Sequence, residues 1–309
     1  MINIRFAALP QRWDEYEPHL RHQLDALGLE YTLSLHTPPA ETDYIIYAPN
    51  SDVQDFTPYT RCKAVLGLWA GVEGIVGNKT LTQPLARMVD HGLKQGMVEW
   101  VTGHTLRHHL GMDSHIVNPS NTWAPAAPPL AKDRPVTILG LGELGVACGQ
   151  ALAGLGFPVT GWSKSPKNVP GLRCLHGPDG FATAIEDAQV VILLLPQTPA
   201  TENILQAGSL TLLAKGAFVL NPGRGPLIDD TALLAALDSG QVAHATLDVF
   251  RVEPLPADHP YWAHPQVTVT PHIASETRAD TASAVIVENI RRGEAGLPFL
   301  HLVDRSAGY

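Results

Sequence analysis

The residues 136–145 read Val-Thr-Ile-Leu-Gly-Leu-Gly-Glu-Leu-Gly, an apolar run followed by glycines at 140, 142 and 145 and then a helical pattern. In that setting Gly140 can make a tight turn, Gly142 can let a pyrophosphate approach the backbone, and Gly145 can let helix and strand pack closely. Glu143 and Leu144 open the helix, whose first N–H groups and positive dipole end suit phosphates. The plain alternative is a strand-to-helix turn that holds no ligand. One helix further on, VTGWSKSPKN (residues 159–168) lacks the Asp or Glu that accepts bonds from the ribose hydroxyls of NAD. Trp162, Ser163, Lys164 and Ser165 stand there instead, with Lys167 close behind. A carboxylate would repel a ribose 2′-phosphate, whereas hydroxyls and an ammonium can hold it. The segment therefore predicts NADP(H) as the preferred nucleotide, with NAD(H) possible, against the reading of a solvated loop.

The rest of the composition bounds the function. With 309 residues, 45% hydrophobic and 17% charged, the chain is an ordinary globular one, long enough for two domains. A net charge of −9 argues against nucleic acid and anionic membrane as partners. No apolar run reaches membrane-spanning length and no signal segment precedes the first strand, so a cytoplasmic location is expected. Cys62, Cys148 and Cys174 have neither disulfide nor metal spacing. His104 and His108 can share a helical face, but the H-E-x-x-H glutamate is missing, so no metal is expected and these histidines and His109 read as exposed.

Strands and helices must alternate to place these groups. INIRFAAL, YTLSLHT, DYIIYAP and AVLGLWAG read as strands, with an amphipathic helix over residues 14–28. A long helix over 93–111 precedes the Pro-rich connection VNPSNTWAPAAPPLAKDRP. Further strands are expected at FPVTGW, QVVILLLP, AFVLNPG, VAHATLDVF and VTVTPH, continuous apolar runs that suit parallel strands covered on both faces. A last helix is expected within residues 275–294.

Three late segments, LNPGRGPLIDDTALLAALDSG, TLDVFRVEPLP and VTVTPHIASE, come in an order that resembles the D-2-hydroxyacid dehydrogenase family. GWSKS and the closing VDRSAGY are similar to its glyoxylate/hydroxypyruvate reductase A subgroup. The resemblance implies an α/β fold, with a Rossmann-type dinucleotide-binding domain (98–274) inserted in a smaller flavodoxin-like substrate domain (1–97 and 275–309). It implies catalytic roles for Arg224, Glu253 and His272. A guanidinium fork suits the paired oxygens of a 2-ketoacid, and an imidazolium paired with a carboxylate can deliver a proton to the ketone oxygen. LGLWAGVEG matches the substrate loop, so Ala70 and Gly71 are expected to offer N–H groups and Trp69 to form a pocket wall or pack the loop. Trp69 and Glu73 depart from the commoner small residue and Asp. Leu195, Pro196 and Thr201 are implied near the adenosine half of the cofactor and Asp248 near its nicotinamide. A homodimer is implied, with the histidine-bearing helix at its interface.

The activity expected is NADPH-dependent reduction of glyoxylate and hydroxypyruvate. Two alternatives stay open: a dehydrogenase acting on a larger ketoacid such as phenylpyruvate, and a non-catalytic dinucleotide sensor on the same fold.

Overall fold

A computed structural model describes residues 1–116, 118 and 120–308. The Pro-rich connection and the closing VDRSAGY therefore fall in part, at Val117, Pro119 and Tyr309, outside the described residues. The elements in chain order are β1 (Ile2–Ala7), α1 (Pro10–Ala26), β2 (Tyr31–Ser34), β3 (Tyr44–Tyr47), β4 (Ala64–Gly67), β5 (Leu85–Ala86), α2 (His91–His109) and α3 (Asp113–Ile116). There follow β6 (Val136–Leu139), α4 (Glu143–Gly154), β7 (Val159–Ser163), β8 (Arg173–His176), α5 (Gly177–Ile185), β9 (Val190–Leu193), α6 (Ala207–Leu210) and β10 (Ala217–Asn221). The last are α7 (Asp230–Asp238), β11 (Val242–Leu247), β12 (Val267–Val269) and α8 (Ala279–Glu294). Two compact units result, residues 1–93 with 276–309, and residues 94–275.

In the first unit five parallel strands run in the order β2-β1-β3-β4-β5, the flavodoxin-like arrangement. Tyr16, Leu20 and Leu24 of α1 and Ile286, Val287 and Ile290 of α8 are buried with Ile4, Phe6, Tyr44 and Ile46 of the strands. Ile45, Tyr47 and Val65 point to the opposite face and pack with Phe56 and Leu81. Both faces of the sheet are covered, which is why DYIIYAP reads as a continuous apolar run rather than an alternating one. The first helix begins at Pro10, earlier than the expected Asp14, because proline's missing N–H costs nothing in a helix's first turn.

In the second unit seven parallel strands run β12-β11-β10-β9-β6-β7-β8. The first strand of the unit lies inside the sheet, with its two successors on one side and the other four on the opposite side. The order thus reverses between β6 and β9, and a ligand crevice belongs at the carboxyl ends of the strands there. Registry aligns those ends, since Leu139 lies beside Leu193 and Trp162, Asn221 beside Leu247, and Leu247 beside Val269.

The expected exposed histidines need correction. His108 and His109 are both buried, at 5% and 6% exposure. His108 stacks on Phe218 with ring centroids 4.8 Å apart and shares a 2.9 Å hydrogen bond with Thr246, while His109 accepts from Arg134 Nε at 3.0 Å. The helix has polar residues on every side, so its inner face is set by the strands it meets rather than by an apolar stripe. Burial is the main cause that pushes His108 down to about 3 and half-buried His244 to about 4. Both stay neutral in the fold, whereas in the unfolded chain they take up protons as pH falls through the ordinary value of 6.5. Their contribution is complete above that value and is lost progressively as pH falls toward 3. We expect the thermal midpoint to fall steadily between roughly pH 6.5 and pH 4, by a few kcal/mol of stability in all at about 1.4 kcal/mol per unit, with His108 the larger contributor. His108→Phe should flatten much of that slope; an equally steep slope in the variant would remove His108 as its source.

Among the described residues no helix is long and apolar enough to cross a membrane, and no cluster of three or more His, Cys, Asp or Glu is placed to hold a metal.

Candidate active site

The glycine turn sits at the carboxyl end of β6. Gly140 has φ +111°, and a Cβ there would lie 2.5 Å from the Leu194 carbonyl oxygen, so only glycine fits beside the end of β9. A Cβ on Gly145 would collide with the Gly140 carbonyl, which is the close helix-to-strand packing expected of the third glycine. Gly142 precedes α4 and has open space where a side chain would stand. The twelve-residue α4 thus begins behind a cradle with free backbone approach. Glu143 in its first turn pairs with Lys94 at 2.8 Å, a cation the sequence reading missed.

The segment after β7 divides into buried and exposed parts. Trp162 is 8% exposed, its Nε1 donates to the Gly177 carbonyl at 2.8 Å, and its own carbonyl accepts from Gly140 N at 2.8 Å. The Trp162 side chain thus belongs to the core, and its backbone supports the glycine turn. Ser163 is equally buried and its hydroxyl donates to the Ser165 carbonyl at 2.9 Å. The segment exposes residues 164–168, among them the polar groups of Lys164, Ser165, Lys167 and Asn168. Beyond β9, Leu195 is buried and Thr201 Oγ1 bonds the Pro196 carbonyl at 2.7 Å, closing the loop 196–201 on itself.

The expected catalytic residues share one edge of the sheet. Arg224 lies three residues beyond the end of β10, in a turn held by Asn221. Asn221 is 1% exposed; its Nδ2 donates to the Arg224 carbonyl at 2.9 Å and its Oδ1 accepts from Gly223 N at 3.1 Å. His272 follows β12 at φ +54°, a left-handed conformation that a histidine tolerates better than a branched residue does. Its Nδ1 is 2.7 Å from Glu253 Oε2, and the other oxygen of Glu253 accepts from Phe250 N at 2.9 Å. The imidazole is about half exposed and its Nε2 is the nitrogen left for a ligand. The structure thus joins Glu253 to His272 across 19 residues of chain.

Asp248, at the end of β11, is tied into the protein. It is fully buried, and both carboxylate oxygens are used inside the protein: Oδ1 by Thr270 Oγ1 at 2.5 Å and Ile273 N at 2.9 Å, Oδ2 by Ala274 N at 2.8 Å. The Asp248 carbonyl also accepts from His272 N at 2.9 Å. Its place is that of a brace under the His272 loop. Arg251 is a second brace, donating to the Ile228 carbonyl at 2.6 Å and ion-paired with Asp230 at 3.6 Å. Neither Asn221 nor Arg251 is singled out by spacing in the sequence; a lone Asn ending an apolar run is the only signal for the first.

In the smaller unit, the loop after β4 carries Trp69, Ala70 and Gly71. Trp69 is 43% exposed, so it does not pack the core, and its carbonyl accepts from Met88 N at 3.0 Å. With Tyr47, Pro49, Gly67, Gly71 and Arg87 it lines a shallow cavity.

Comparison with known proteins agrees with this geometry. Residues 104–274 match the family model of the D-isomer specific 2-hydroxyacid dehydrogenase NAD-binding domain. Glyoxylate/hydroxypyruvate reductase A of Yersinia enterocolitica is 39% identical over 255 residues, 80% of this chain and 82% of that protein. A D-isomer specific 2-hydroxyacid dehydrogenase of Xanthobacter autotrophicus Py2, solved with NADPH and MES, superposes with TM-score 0.92 at 35% identity over 100% of this chain and 99% of that one. An NADPH-dependent glyoxylate/hydroxypyruvate reductase of Sinorhizobium meliloti, solved with NADP and sulfate, gives TM-score 0.86 at 30% identity, with 100% and 99% covered. The chain therefore belongs to the D-isomer specific 2-hydroxyacid dehydrogenase family of NAD(P)-dependent oxidoreductases, and its Rossmann sheet is the family's NAD-binding domain.

Proposed function

We propose that this enzyme uses NADPH to reduce small 2-ketoacids, glyoxylate to glycolate and hydroxypyruvate to D-glycerate. The observation that carries the reading is the Glu253–His272 pair, 2.7 Å from Nδ1 to Oε2, on the sheet edge that also bears the Arg224 turn. The relatives named for these two substrates, and those solved with NADPH or NADP, support it.

The residues fit a dinucleotide: an open Gly142, the positive φ of Gly140 and the start of α4 would hold the pyrophosphate. Lys164 and Ser165 would hold the 2′-phosphate, and Lys94 offsets the negative charge of Glu143 in the first turn of α4, where the pyrophosphate would lie. When bound, NADPH supplies the hydride. Arg224 holds the carboxylate and the adjoining ketone oxygen with its planar fork. Ala70 and Gly71 add N–H donors to the carboxylate. His272 as imidazolium gives the Nε2 proton to the ketone oxygen, while Glu253 on Nδ1 keeps the ring aimed. In the reverse direction neutral His272 takes the proton back. Residues 98–274 act as the nucleotide domain, the remainder as the substrate domain, and the assembly is a homodimer.

The test is NADPH oxidation by the purified protein with glyoxylate, hydroxypyruvate and phenylpyruvate, each repeated with NADH. Turnover of the two small acids with NADPH preferred is the expected outcome; tight NADPH binding without turnover would favour a sensor. The exposed indole of Trp69 supports a second reading, in which it stacks on a larger substituent; phenylpyruvate as the best substrate would establish that reading.

Ser163→Asp tests the nucleotide preference separately. Aspartate cannot donate to the Ser165 carbonyl and places negative charge beside the 2′-phosphate site. We expect kcat/KM for NADPH to fall by roughly 1–3 kcal/mol, on the order of tenfold or more, with NADH spared. Equal losses with both nucleotides would assign the effect to folding instead.

A further inference from the structure

Beyond α8 the chain returns to the first unit's sheet. Leu302 forms an antiparallel bridge with Ala86, Val303 N donates to the Leu85 carbonyl at 2.9 Å, and Arg87 N donates to the His301 carbonyl at 3.0 Å. β5 is the edge strand of its sheet, and at two residues it has little pairing of its own, so segment 301–303 supplies the missing neighbour. Two residues further, Arg305 donates to three carbonyls of one turn: Nε to Val76 at 3.3 Å, Nη2 to Asn78 at 2.7 Å, and Nη1 to Leu81. Those carbonyls belong to the irregular stretch between β4 and β5, where no ladder can pair them, and a guanidinium is the one side chain with enough fixed donors to serve all three. The same stretch carries Trp69, Ala70 and Gly71 near its start. Both attachments therefore bear on the substrate loop: Arg305 holds the stretch that follows it, and 301–303 hold β5, whose continuation at Met88 bonds the Trp69 carbonyl.

We propose that segment 301–305 is a clamp that positions the substrate loop, with Arg305 as its positioning residue. This rests on the reading of loop 69–71 as a substrate site given above. Arg305 touches neither substrate nor nucleotide in this scheme; it fixes the backbone donors that meet the carboxylate. Its loss should therefore weaken ketoacid binding and leave nucleotide binding alone.

The experiment compares wild type, Arg305→Met and Arg305→Lys for steady-state kinetics, NADPH binding and amide exchange across residues 68–76. In Arg305→Met we expect KM for glyoxylate to rise about tenfold, as loss of oriented donors at a cost near 1.4 kcal/mol would give, with NADPH Kd within about twofold and faster exchange in the loop. Arg305→Lys, which keeps the charge without the fork, should recover part of the KM. Should Arg305→Met fail to fold, Val303→Pro removes the N–H that bonds Leu85 and is read in the same way. Unchanged KM and unchanged exchange in an active enzyme would overturn the clamp. A wild type that turns over no 2-ketoacid would instead remove the functional reading, and loop exchange would still decide whether Arg305 orders residues 68–76.

Discussion

His272→Gln is expected to lower kcat for glyoxylate reduction by about 10²–10⁴-fold, the range ordinarily supplied by a positioned acid. Glutamine keeps a polar group that can meet Glu253 but has no proton to release at neutral pH. The loop itself should survive, because its backbone is held independently of the ring: His272 N bonds the Asp248 carbonyl, and the Asp248 carboxylate bonds Thr270, Ile273 and Ala274. NADPH Kd and the thermal midpoint should therefore stay close to wild type, which separates lost proton transfer from lost structure. Turnover within a few-fold of wild type would take His272 out of the acid–base role. Glu253→Gln should be milder, since it leaves the acid in place and removes the charge that aims it across 2.7 Å.

Arg224→Lys is the second large effect. The substitution keeps a positive charge but replaces a rigid two-toothed donor by a flexible point charge, and a carboxylate-ketone pair needs two oxygens held in one plane. Losing one charge-assisted hydrogen bond of the pair costs about 1.5–3 kcal/mol, so kcat/KM for glyoxylate should fall by roughly 10- to 10²-fold. The turn should remain folded, because Asn221 holds it through the Arg224 carbonyl and Gly223 N, and the one bond the guanidinium adds, from Nη1 to the Gly223 carbonyl at 2.6 Å, is a single donor that an ammonium can also supply. A lysine variant with nearly full kcat/KM would mean that position 224 carries charge alone and that the substrate carboxylate is held elsewhere.

How far these residues were legible depended on the range of the interaction that places them. The glycine turn was legible because its constraints are local: a positive φ at Gly140 and tight packing at Gly145 are written in residues a few positions apart. The long apolar strands were legible for the same reason, since a doubly covered strand leaves a continuous run such as VVIL. β5 was missed because two residues carry no period, and its pairing partner lies more than 200 positions away at Leu302. The burial of His108 was missed because it depends on Phe218 and Thr246 of two other strands. Asp248 shows the intermediate case. An acid ending an apolar strand is visible in LDVF, but which groups it serves follows from the pairing of Leu247 with Val269, which sets residues 270–274 over its carboxylate. The inward turn of the Ser163 and Trp162 side chains was not legible, since alternation along a short strand end says little about which side chain is buried.

The central claim is that hydride passes to the ketone carbon of a small 2-ketoacid while this chain protonates the oxygen. The measurement that tests it most directly uses NADPH dideuterated at nicotinamide C4 with hydroxypyruvate, followed by isotopic and chiral analysis of the product. The expected result is D-glycerate carrying one deuterium at C2, formed in step with NADPH consumed. NADPH consumption with no deuterium in the product, or L-glycerate as the product, would contradict the account.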